Sequence, residues 1–349
     1  MSETKTPDNI DVWTATKNIL NTIDRDRERE IISRRFGLYD RRETLEQIGE
    51  LLGITRERVR QLEKAILARL KAQASEEDLP SIGDIEKEFI KNLHDLGRVA
   101  RVTALSAKVT KENTDRDQSH VAFLAVLAPG LSVVDANDQY FHSIGILEYN
   151  DTKSIKKNID DVVAAIKEYG QPITINELHA RLSYEHPDYI KAFASSSKKL
   201  ANLKDKWGLL KWPTVNPKNI RDKIYVVLQE ENKPMHFNDI ARSIRQSNFK
   251  RKDVTTQAIH NELIKDERFV LIGRGVYALN EWGYKQGTVS VVIADVLKKA
   301  GEPLHRDEVV RRVLKSRQVK ETTILLNLQS KPQFKRVAKA TYTLADDAK

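Results

Sequence analysis

The hydrophobic pattern in the first fifth of the chain predicts two helices that are separated by a tight turn. Thr44 and Gln47 have the spacing of a capping box, in which the two side chains satisfy free amides at a helix start. Gly53 is placed to end that helix in the left-handed conformation. Thr55 can cap a second helix, which we predict over residues 56–71. The segment therefore has the local signals of a helix-turn-helix.

The second predicted helix separates apolar from polar side chains when its residues are placed at ~100° intervals. Its apolar face consists of Val59, Leu62, Ile66 and Leu70. Its opposite face carries Arg56, Glu57, Arg60, Gln61 and Lys64. Arg can bridge the two acceptors of a guanine edge, Gln can pair with adenine and Glu can accept from cytosine, so this face suits the major groove. A solvated face with ion pairs such as Glu57 to Arg60 explains the same spacing, which leaves both interpretations open.

Three segments beyond residue 150 share one pattern, in which an amphipathic helix is followed by a proline-centred turn and a second short helix. The turns contain Pro172, Pro234 and Pro303, which are 62 and 69 positions apart. In every segment an apolar residue follows the proline by six positions. These spacings indicate repeated units of roughly 60 to 70 residues.

The last two units also end alike, with Phe, Tyr and Leu at equal offsets. These residues are Phe269, Tyr277 and Leu279 in one unit and Phe334, Tyr342 and Leu344 in the other. The centre Gly273–Arg274–Gly275 predicts a tight β-hairpin, because glycine permits the positive φ of such turns. Alternation along the hairpin strands should place the Phe and Tyr side chains in the core. Three helices followed by a hairpin predict a winged helix.

A fourth, degenerate copy of this unit is predicted over residues 84–147. Leu105 takes the place that Leu178 has in the next copy. We predict the third helix of the degenerate copy over residues 120–127 and its wing over residues 131–146.

The predicted fold class is mainly α, with a helix-turn-helix domain followed by tandem winged-helix domains that carry small β-hairpin wings. The five predicted domains are a helix-turn-helix at 10–72, a degenerate winged helix at 84–147, a winged helix-like unit at 154–213 and two winged helices at 217–280 and 284–345. Linkers are expected at polar or Pro- and Gly-containing breaks near Ala72–Ser81, Tyr149–Thr152, Trp212–Pro217 and Glu281–Gly287.

Composition argues against several kinds of chemistry. The 349 residues include no cysteine, which excludes disulfides, thiolate zinc sites and cysteine nucleophiles. His236 and His305 share a repeat position without a partner at metal-ligand spacing, so we expect them to be structural or helix-capping residues. Gly273–Arg274–Gly275 lacks the Lys and the helix of a phosphate-binding loop, and Asp84–Lys87 lacks the strand context of a nuclease. We therefore expect no catalytic residues, metal, cofactor or small-molecule substrate, and hence a protein that is not an enzyme.

A membrane location is not expected either. The first residues contain no hydrophobic leader. The longest apolar stretch, residues 121–128, is far shorter than the ~20 residues that cross a bilayer. We expect no membrane partner and a cytoplasmic, nucleoid-associated protein.

Basic residues are concentrated toward the C-terminal end. The chain has 59 Lys and Arg against 50 Asp and Glu, a net charge of +9. From residue 217 onward there are 26 basic and 16 acidic residues, so the excess lies in this part. Double-stranded DNA is therefore the first partner to consider. The candidate phosphate contacts are Lys250, Arg251 and Lys252 before a third helix and Arg274 and Lys339 at the wing tips, with an ordinary solvated loop as the alternative.

A long series of ordered sequence motifs lies between residues 27 and 63. The motifs are REREII at 27–32, RFGL at 35–38 and TLEQIGELLGITRERVRQLE at 44–63. In this order they closely resemble region 4 of primary bacterial sigma factors, and the resemblance covers residues 12 to 72. It makes the base-contacting interpretation of the second helix the stronger one.

The resemblance implies recognition of a minus-35 promoter element. It places Arg56, Glu57 and Gln61 at bases and Thr55, Arg58, Arg60 and Lys64 nearer the DNA backbone. It also implies docking on the flap of the RNA polymerase β subunit. Too few residues precede the segment for the sigma regions that bind core polymerase most tightly and melt the minus-10 element, so we do not expect a complete sigma factor.

A second resemblance concerns residues 217–280. It rests on KPMHFNDI at 233–240, on the helix predicted over 254–264 and on residues 268–279. These features are similar to the HARE-type winged helix, a family that includes the N-terminal domain of the polymerase delta subunit and modules of chromatin proteins and restriction enzymes. Residues 284–344 form a weaker copy. Membership of that family does not decide between DNA and protein as the ligand.

Two functions from different classes remain open. The first is a promoter-binding transcription regulator whose helix-turn-helix and basic winged helices contact DNA together, since linked domains raise effective concentration. The alternative is an accessory factor of RNA polymerase that acts mainly through protein contacts. Arg56, Glu57, Arg60 and Gln61 favour the first, because flap docking alone would not need a base-contacting face.

Overall fold

The computed structural model describes residues 11–284, 287–317 and 319–345. Within these residues the protein is mainly helical with four small antiparallel sheets, which agrees with the mainly α class that the sequence predicts. The chain divides into two compact units, the first ending at Leu210 and the second beginning at Lys211.

The described part of the first unit contains ten helices and six strands. The helices are α1 (Val12–Asn21), α2 (Asp26–Phe36), α3 (Leu45–Leu52), α4 (Arg56–Ser75), α5 (Ile82–Asp95), α6 (Val102–Val109), α7 (Asp115–Leu127), α8 (Thr152–Tyr169), α9 (Ile175–His179) and α10 (Pro187–Ser196). The strands are β1 (Val99–Arg101), β2 (Leu131–Val134), β3 (Ser143–Ile146), β4 (Ile173–Thr174), β5 (Leu200–Leu203) and β6 (Lys206–Leu209). The sheet orders are β1-β3-β2 and β4-β6-β5.

Local capping defines α3 and α4 as the sequence predicts. Thr44 Oγ1 accepts from the Gln47 amide at 3.3 Å and Gln47 Oε1 accepts from the Thr44 amide at 2.9 Å, which completes the capping box. Gly53 ends α3 in the left-handed region at φ 63°. Thr55 caps α4. The helix α4 continues to Ser75, beyond its predicted end, because its apolar face continues to pack on the core.

The helix α7 begins five residues earlier than predicted. The reason is a second capping box, in which Thr114 and Asp117 satisfy each other's backbone amides. Leu105 and Leu178, which the repeat pattern matches to each other, are both fully buried. The hairpin of this copy starts and ends at the predicted residues.

One hydrophobic core runs from α1 through β3. Its fully buried members include Ile19, Leu70, Phe89 and Phe123. Phe36, at the end of α2, packs edge-on against Phe123 with the ring centroids 5.1 Å apart. The helix-turn-helix segment and the degenerate copy that follows it therefore share one core.

The second unit repeats a single order of elements twice. Its helices are α11 (Ile220–Glu231), α12 (Phe237–Gln246), α13 (Thr256–Lys265), α14 (Val289–Ala300), α15 (Arg306–Leu314) and α16 (Glu321–Ser330), with a 3-10 turn at Asn280–Trp282. Its strands are β7 (Met235–His236), β8 (Phe269–Gly273), β9 (Val276–Leu279), β10 (Leu304–His305), β11 (Phe334–Ala338) and β12 (Thr341–Leu344). The sheet orders are β7-β9-β8 and β10-β12-β11.

All four sheets of the described residues have the same connection. A short strand before the second helix of each repeat pairs antiparallel with the last strand of a hairpin. The paired residues are Val99 with Gly145, Ile173 with Trp207, Met235 with Tyr277 and Leu304 with Tyr342. This strand joins the helices of each repeat to its hairpin.

The hairpins of the last two repeats have the predicted cores. Phe269, Tyr277, Phe334 and Tyr342 are all buried. The turn between β8 and β9 uses Gly275 at φ 70°, a conformation that glycine adopts without strain. The predicted tight hairpin is confirmed.

Two histidines cap helices, which is one of the two roles expected for them. Nδ1 of His236 accepts from the Asn238 amide at 3.2 Å at the start of α12. Nδ1 of His305 accepts from the Asp307 amide at 3.4 Å at the start of α15.

Candidate nucleic-acid interface

Close packing of α3 against the turn fixes the position of α4. Ile31, Ile48 and Val59 are fully buried and join α2, α3 and α4 in a small apolar cluster. A Cβ on Gly49 would lie 2.7 Å from the Ile54 carbonyl oxygen, so α3 approaches the turn at a distance that only glycine permits. This role of Gly49 was not predicted, although a glycine in the interior of a predicted helix is a signal of close packing.

The predicted base-contacting face is exposed along its whole length. Thr55 Oγ1 accepts from the Arg58 amide at 3.2 Å and so defines the N-terminus of α4. Side chains on the opposite face, Val59 and Leu70, are fully buried. The seven exposed residues that the structure brings together here are Thr55, Arg56, Glu57, Arg58, Arg60, Gln61 and Lys64.

Polar side chains of this face bond to one another. Glu57 accepts from Arg60 Nη2 at 2.7 Å, in the ion pair that the alternative interpretation predicts, and from Gln61 Nε2 at 3.4 Å. Arg58 Nη1 donates to Gln61 Oε1 at 3.3 Å. Such bonds orient the side chains in the absence of a ligand. Because all of them are exposed, DNA groups can replace them at little cost.

The same contacts shift the pKa values of two side chains on this face. Hydrogen bonding from Arg60 lowers the pKa of Glu57 below its usual value. The same contact raises the pKa of Arg60. Arg56 Nη1 pairs with Glu46 Oε1 of α3 at 2.8 Å. The face therefore presents positive and negative groups within one helical turn of each other.

Two arginines of α2 support the helix-turn-helix from behind. Arg27 Nη2 donates to the Leu52 carbonyl at 2.6 Å, which satisfies a free carbonyl at the C-terminus of α3. Arg35 Nε donates to Glu63 Oε1 at 3.1 Å and joins α2 to α4. Both arginines lie in the motifs at 27–38, but their roles could not be predicted, since the carbonyl and carboxylate they bind lie 25 and 28 positions away.

The remaining candidate cations lie on loops and hairpins of the second unit. Lys250, Arg251 and Lys252 are exposed in the loop between α12 and α13. Arg274 and Lys339 are exposed in the turns of the β8–β9 and β11–β12 hairpins. Among the described residues, none of these five side chains forms an ion pair. Their charge is therefore available to an anionic partner.

Third helices in the second unit differ from α4 in chemistry. The helix α13 contains Lys265 as its single Lys or Arg, and α16 contains neither residue type. Each carries a largely exposed apolar side chain, since Ile264 and Leu326 are both 63% exposed. Neither helix contains an arginine, whereas α4 exposes Arg56, Arg58 and Arg60.

Membrane spans and metal sites are two other features that the sequence does not lead us to expect. No helix among the described residues is long and apolar enough to cross a membrane. In the same part of the chain, no three His, Asp or Glu side chains are grouped so that they could hold a metal ion.

Comparison with known proteins identifies the class of the N-terminal segment. Residues 25–72 match the family model described as "Sigma-70, region 4". This match confirms the resemblance that the motifs of the segment indicate. The matched residues run from the residue before α2 through the exposed face of α4.

Individual relatives are similar over the same part of the chain. The RNA polymerase sigma factor SigA of Microcystis aeruginosa is 40% identical over 76 residues, which cover 22% of this chain and 16% of that protein. The RNA polymerase principal sigma factor HrdC of Streptomyces coelicolor is 54% identical over 54 residues, which cover 15% of this chain and 16% of that protein. The chain thus spans about one sixth of the length of these curated relatives.

Proposed function

We propose that the protein is a DNA-binding transcription factor that recognises a promoter duplex of the minus-35 type through α4. The observation that carries this proposal is the exposed face from Thr55 to Lys64, held on a rigid helix-turn-helix within the segment that matches sigma-70 region 4. In this proposal Arg56, Glu57 and Gln61 contact bases. Thr55, Arg58, Arg60 and Lys64 contact the phosphate backbone.

Substitution of the base-contacting residues tests this proposal. Arg56→Ala and Gln61→Ala in the full chain should each weaken binding to a minus-35 duplex by roughly 1 to 3 kcal/mol and relax the preference at one position. Lys71→Ala is a matched control, because it removes an exposed cation of the same helix ~22 Å farther along the axis. Binding to specific and scrambled duplexes is measured for all three. Equal losses on both duplexes would reject base recognition by α4.

We further propose that the four repeats beyond α4 are winged helices, and that those at 217–280 and 284–345 are of the HARE type. The common strand connection supports this, because in each repeat a short strand joins three helices to a terminal hairpin. In this arrangement the loop cations and the hairpin turns contact DNA phosphates.

RNA polymerase is the second proposed partner, through the flap of its β subunit and through the second unit. One observation favours an accessory role for that unit, namely the exposed Ile264 and Leu326 on helices with almost no cations. An apolar side chain that is exposed in the free protein can be buried by a protein partner.

Purified RNA polymerase core provides the test of this accessory role. Ile264→Glu and Leu326→Glu, introduced together in the full chain, should reduce polymerase binding and leave duplex binding unchanged. Leu147→Glu is the control, since Leu147 is 45% exposed in the first unit. Loss of duplex binding with intact polymerase binding would instead assign these helices to DNA.

A further inference from the structure

A lysine occupies a core position of the second unit. Lys223 lies in the first turn of α11 and is 3% exposed. Counted back from the repeat proline, the same position of the last repeat is Val292, which is fully buried. Burial of an ammonium group costs free energy that a valine at this position avoids. A role other than core packing is therefore needed to explain Lys223.

The ammonium group binds the backbone of the cationic loop. Lys223 Nζ donates to the carbonyl oxygen of Arg251 at 2.8 Å. Arg251 itself has φ 53°, in the left-handed region that side chains other than glycine rarely adopt. Burial, together with the nearby Arg251 charge, lowers the pKa of Lys223. The bond thus holds the central residue of Lys250–Lys252 in a strained conformation.

The last repeat has a similar contact, but here the buried cation lies in the loop and the carbonyl lies at the start of the first helix. Arg317 lies in the loop between α15 and α16 and is 8% exposed. Its Nη1 donates to the carbonyl of Gly287, just before α14. Burial lowers the pKa of Arg317 as it does that of Lys223. In both repeats a buried cation therefore joins the loop before the third helix to the start of the first helix. The cation lies on the first helix in one repeat and in the loop in the other.

We propose that Lys223 is a positioning residue for DNA binding, which fixes the Lys250–Lys252 loop so that its three side chains point to solvent and meet consecutive phosphates. This inference rests on the proposed DNA contact of the second unit. A loop that is ordered before binding loses less conformational entropy when it binds.

Lys223→Met in the full chain tests the positioning role. The change should preserve the fold, because an apolar residue fills the equivalent position of the last repeat. Exchange of the Val254 amide, which bonds to the Lys252 carbonyl at 2.9 Å, should become roughly tenfold faster as the loop loosens. Lys223→Arg retains a cationic donor and should restore slow exchange. Arg317→Met is the matched control and should leave the Val254 amide unaffected.

Duplex binding at several salt concentrations separates this inference from the function on which it rests. In an otherwise wild-type chain, Lys223→Met should weaken duplex binding several-fold. In a chain whose Lys250, Arg251 and Lys252 are already Gln, the same substitution should have no further effect on duplex binding. Unchanged Val254 exchange, or an equal loss in the triple variant, would overturn the positioning role while the DNA contact stands. If the triple variant binds duplex as tightly as wild type and with the same salt dependence, the DNA contact of the loop is wrong and the role of Lys223 falls with it.

Discussion

The second helix of the helix-turn-helix, α4, differs from α13 and α16, the third helices of the two repeats in the second unit, in where the candidate DNA contacts lie. In α4 the candidate contacts lie on one helical face, where Arg56, Glu57 and Gln61 can distinguish bases. In the second unit the helices α13 and α16 carry almost no cations, and the candidate phosphate contacts lie on a loop and on hairpin turns. Loop cations suit phosphates, which are the same in every sequence. The comparison suggests one region for specificity and another for affinity.

The largest expected effect comes from the core beneath α4. Phe123→Ala should destabilise the first unit by about 3 to 5 kcal/mol, because the fully buried ring packs on Phe36 and its removal leaves a cavity. Denaturant unfolding measures the loss, and binding to a minus-35 duplex should weaken with it. Leu147→Ala, at an exposed position, should change stability by less than about 0.5 kcal/mol. An unchanged unfolding midpoint for Phe123→Ala would show that the two segments do not depend on a common core.

A smaller effect is expected at the contact that sets the angle of the helix-turn-helix. Gly49→Ala should destabilise the first unit by about 1 to 3 kcal/mol, because the new methyl group meets the Ile54 carbonyl. Gly83→Ala is the control on α5, where a Cβ meets no atom within 4 Å. That control should gain up to about 1 kcal/mol from helix propensity. Thermal unfolding of both variants distinguishes them, and equal shifts would contradict the close packing.

Salt dependence provides the direct contrast between the two regions. Changing Lys250, Arg251 and Lys252 to Gln should flatten the slope of log K against log salt by about 0.9 for each phosphate that the loop no longer neutralises, on every duplex sequence. Arg56→Ala should instead alter sequence preference. Fluorescence anisotropy with specific and scrambled duplexes measures both quantities. An unchanged slope for the triple variant would move the phosphate contacts to Arg274 and Lys339.

The smallest effect should appear only in acid. Glu28, whose side chain is 10% exposed, accepts from Arg69 Nη2 at 2.8 Å, and that hydrogen bond holds its pKa below the usual value. This stabilisation is complete above the unfolded pKa of about 4.3 and is lost as pH falls through the lower folded pKa. Glu28→Gln should therefore reduce the acid dependence of the unfolding free energy, whereas the exposed Glu50→Gln should not. If the unfolding free energy of Glu28→Gln falls in acid as steeply as that of the wild type, this contribution is excluded.

Features set by neighbouring residues were predictable from the sequence. The capping box at Thr44, the turn at Gly53 and the cap at Thr55 involve residues within a few positions of one another, so pattern and residue type suffice. The same holds for the hairpin at Gly275. The faces of α4 follow from helical spacing alone, and the structure exposes every predicted contact residue on it.

Features set by distant residues were not predictable in this way. Phe36 meets Phe123 across 87 positions, and the bond from Lys223 to Arg251 spans 28. Hydrophobic spacing identifies both phenylalanines as apolar but does not say which partner each one has. A buried lysine gives no sequence signal apart from the valine at the equivalent position of the last repeat. The early start of α7 was a local signal, Thr114 with Asp117, that the sequence analysis overlooked.

The common core from α1 to β3 determines whether the helix-turn-helix can be isolated as a stable fragment. A fragment cut after residue 72 would leave uncovered the apolar surface that Phe36 and Leu70 present to Phe123 and its neighbours. In such a fragment this apolar surface would be exposed to solvent, and we expect the fragment to self-associate. The sequence match ends near residue 72, whereas the smallest piece that keeps this core intact ends near residue 146. In this protein the sequence similarity therefore ends well inside a compact unit that continues to Leu210.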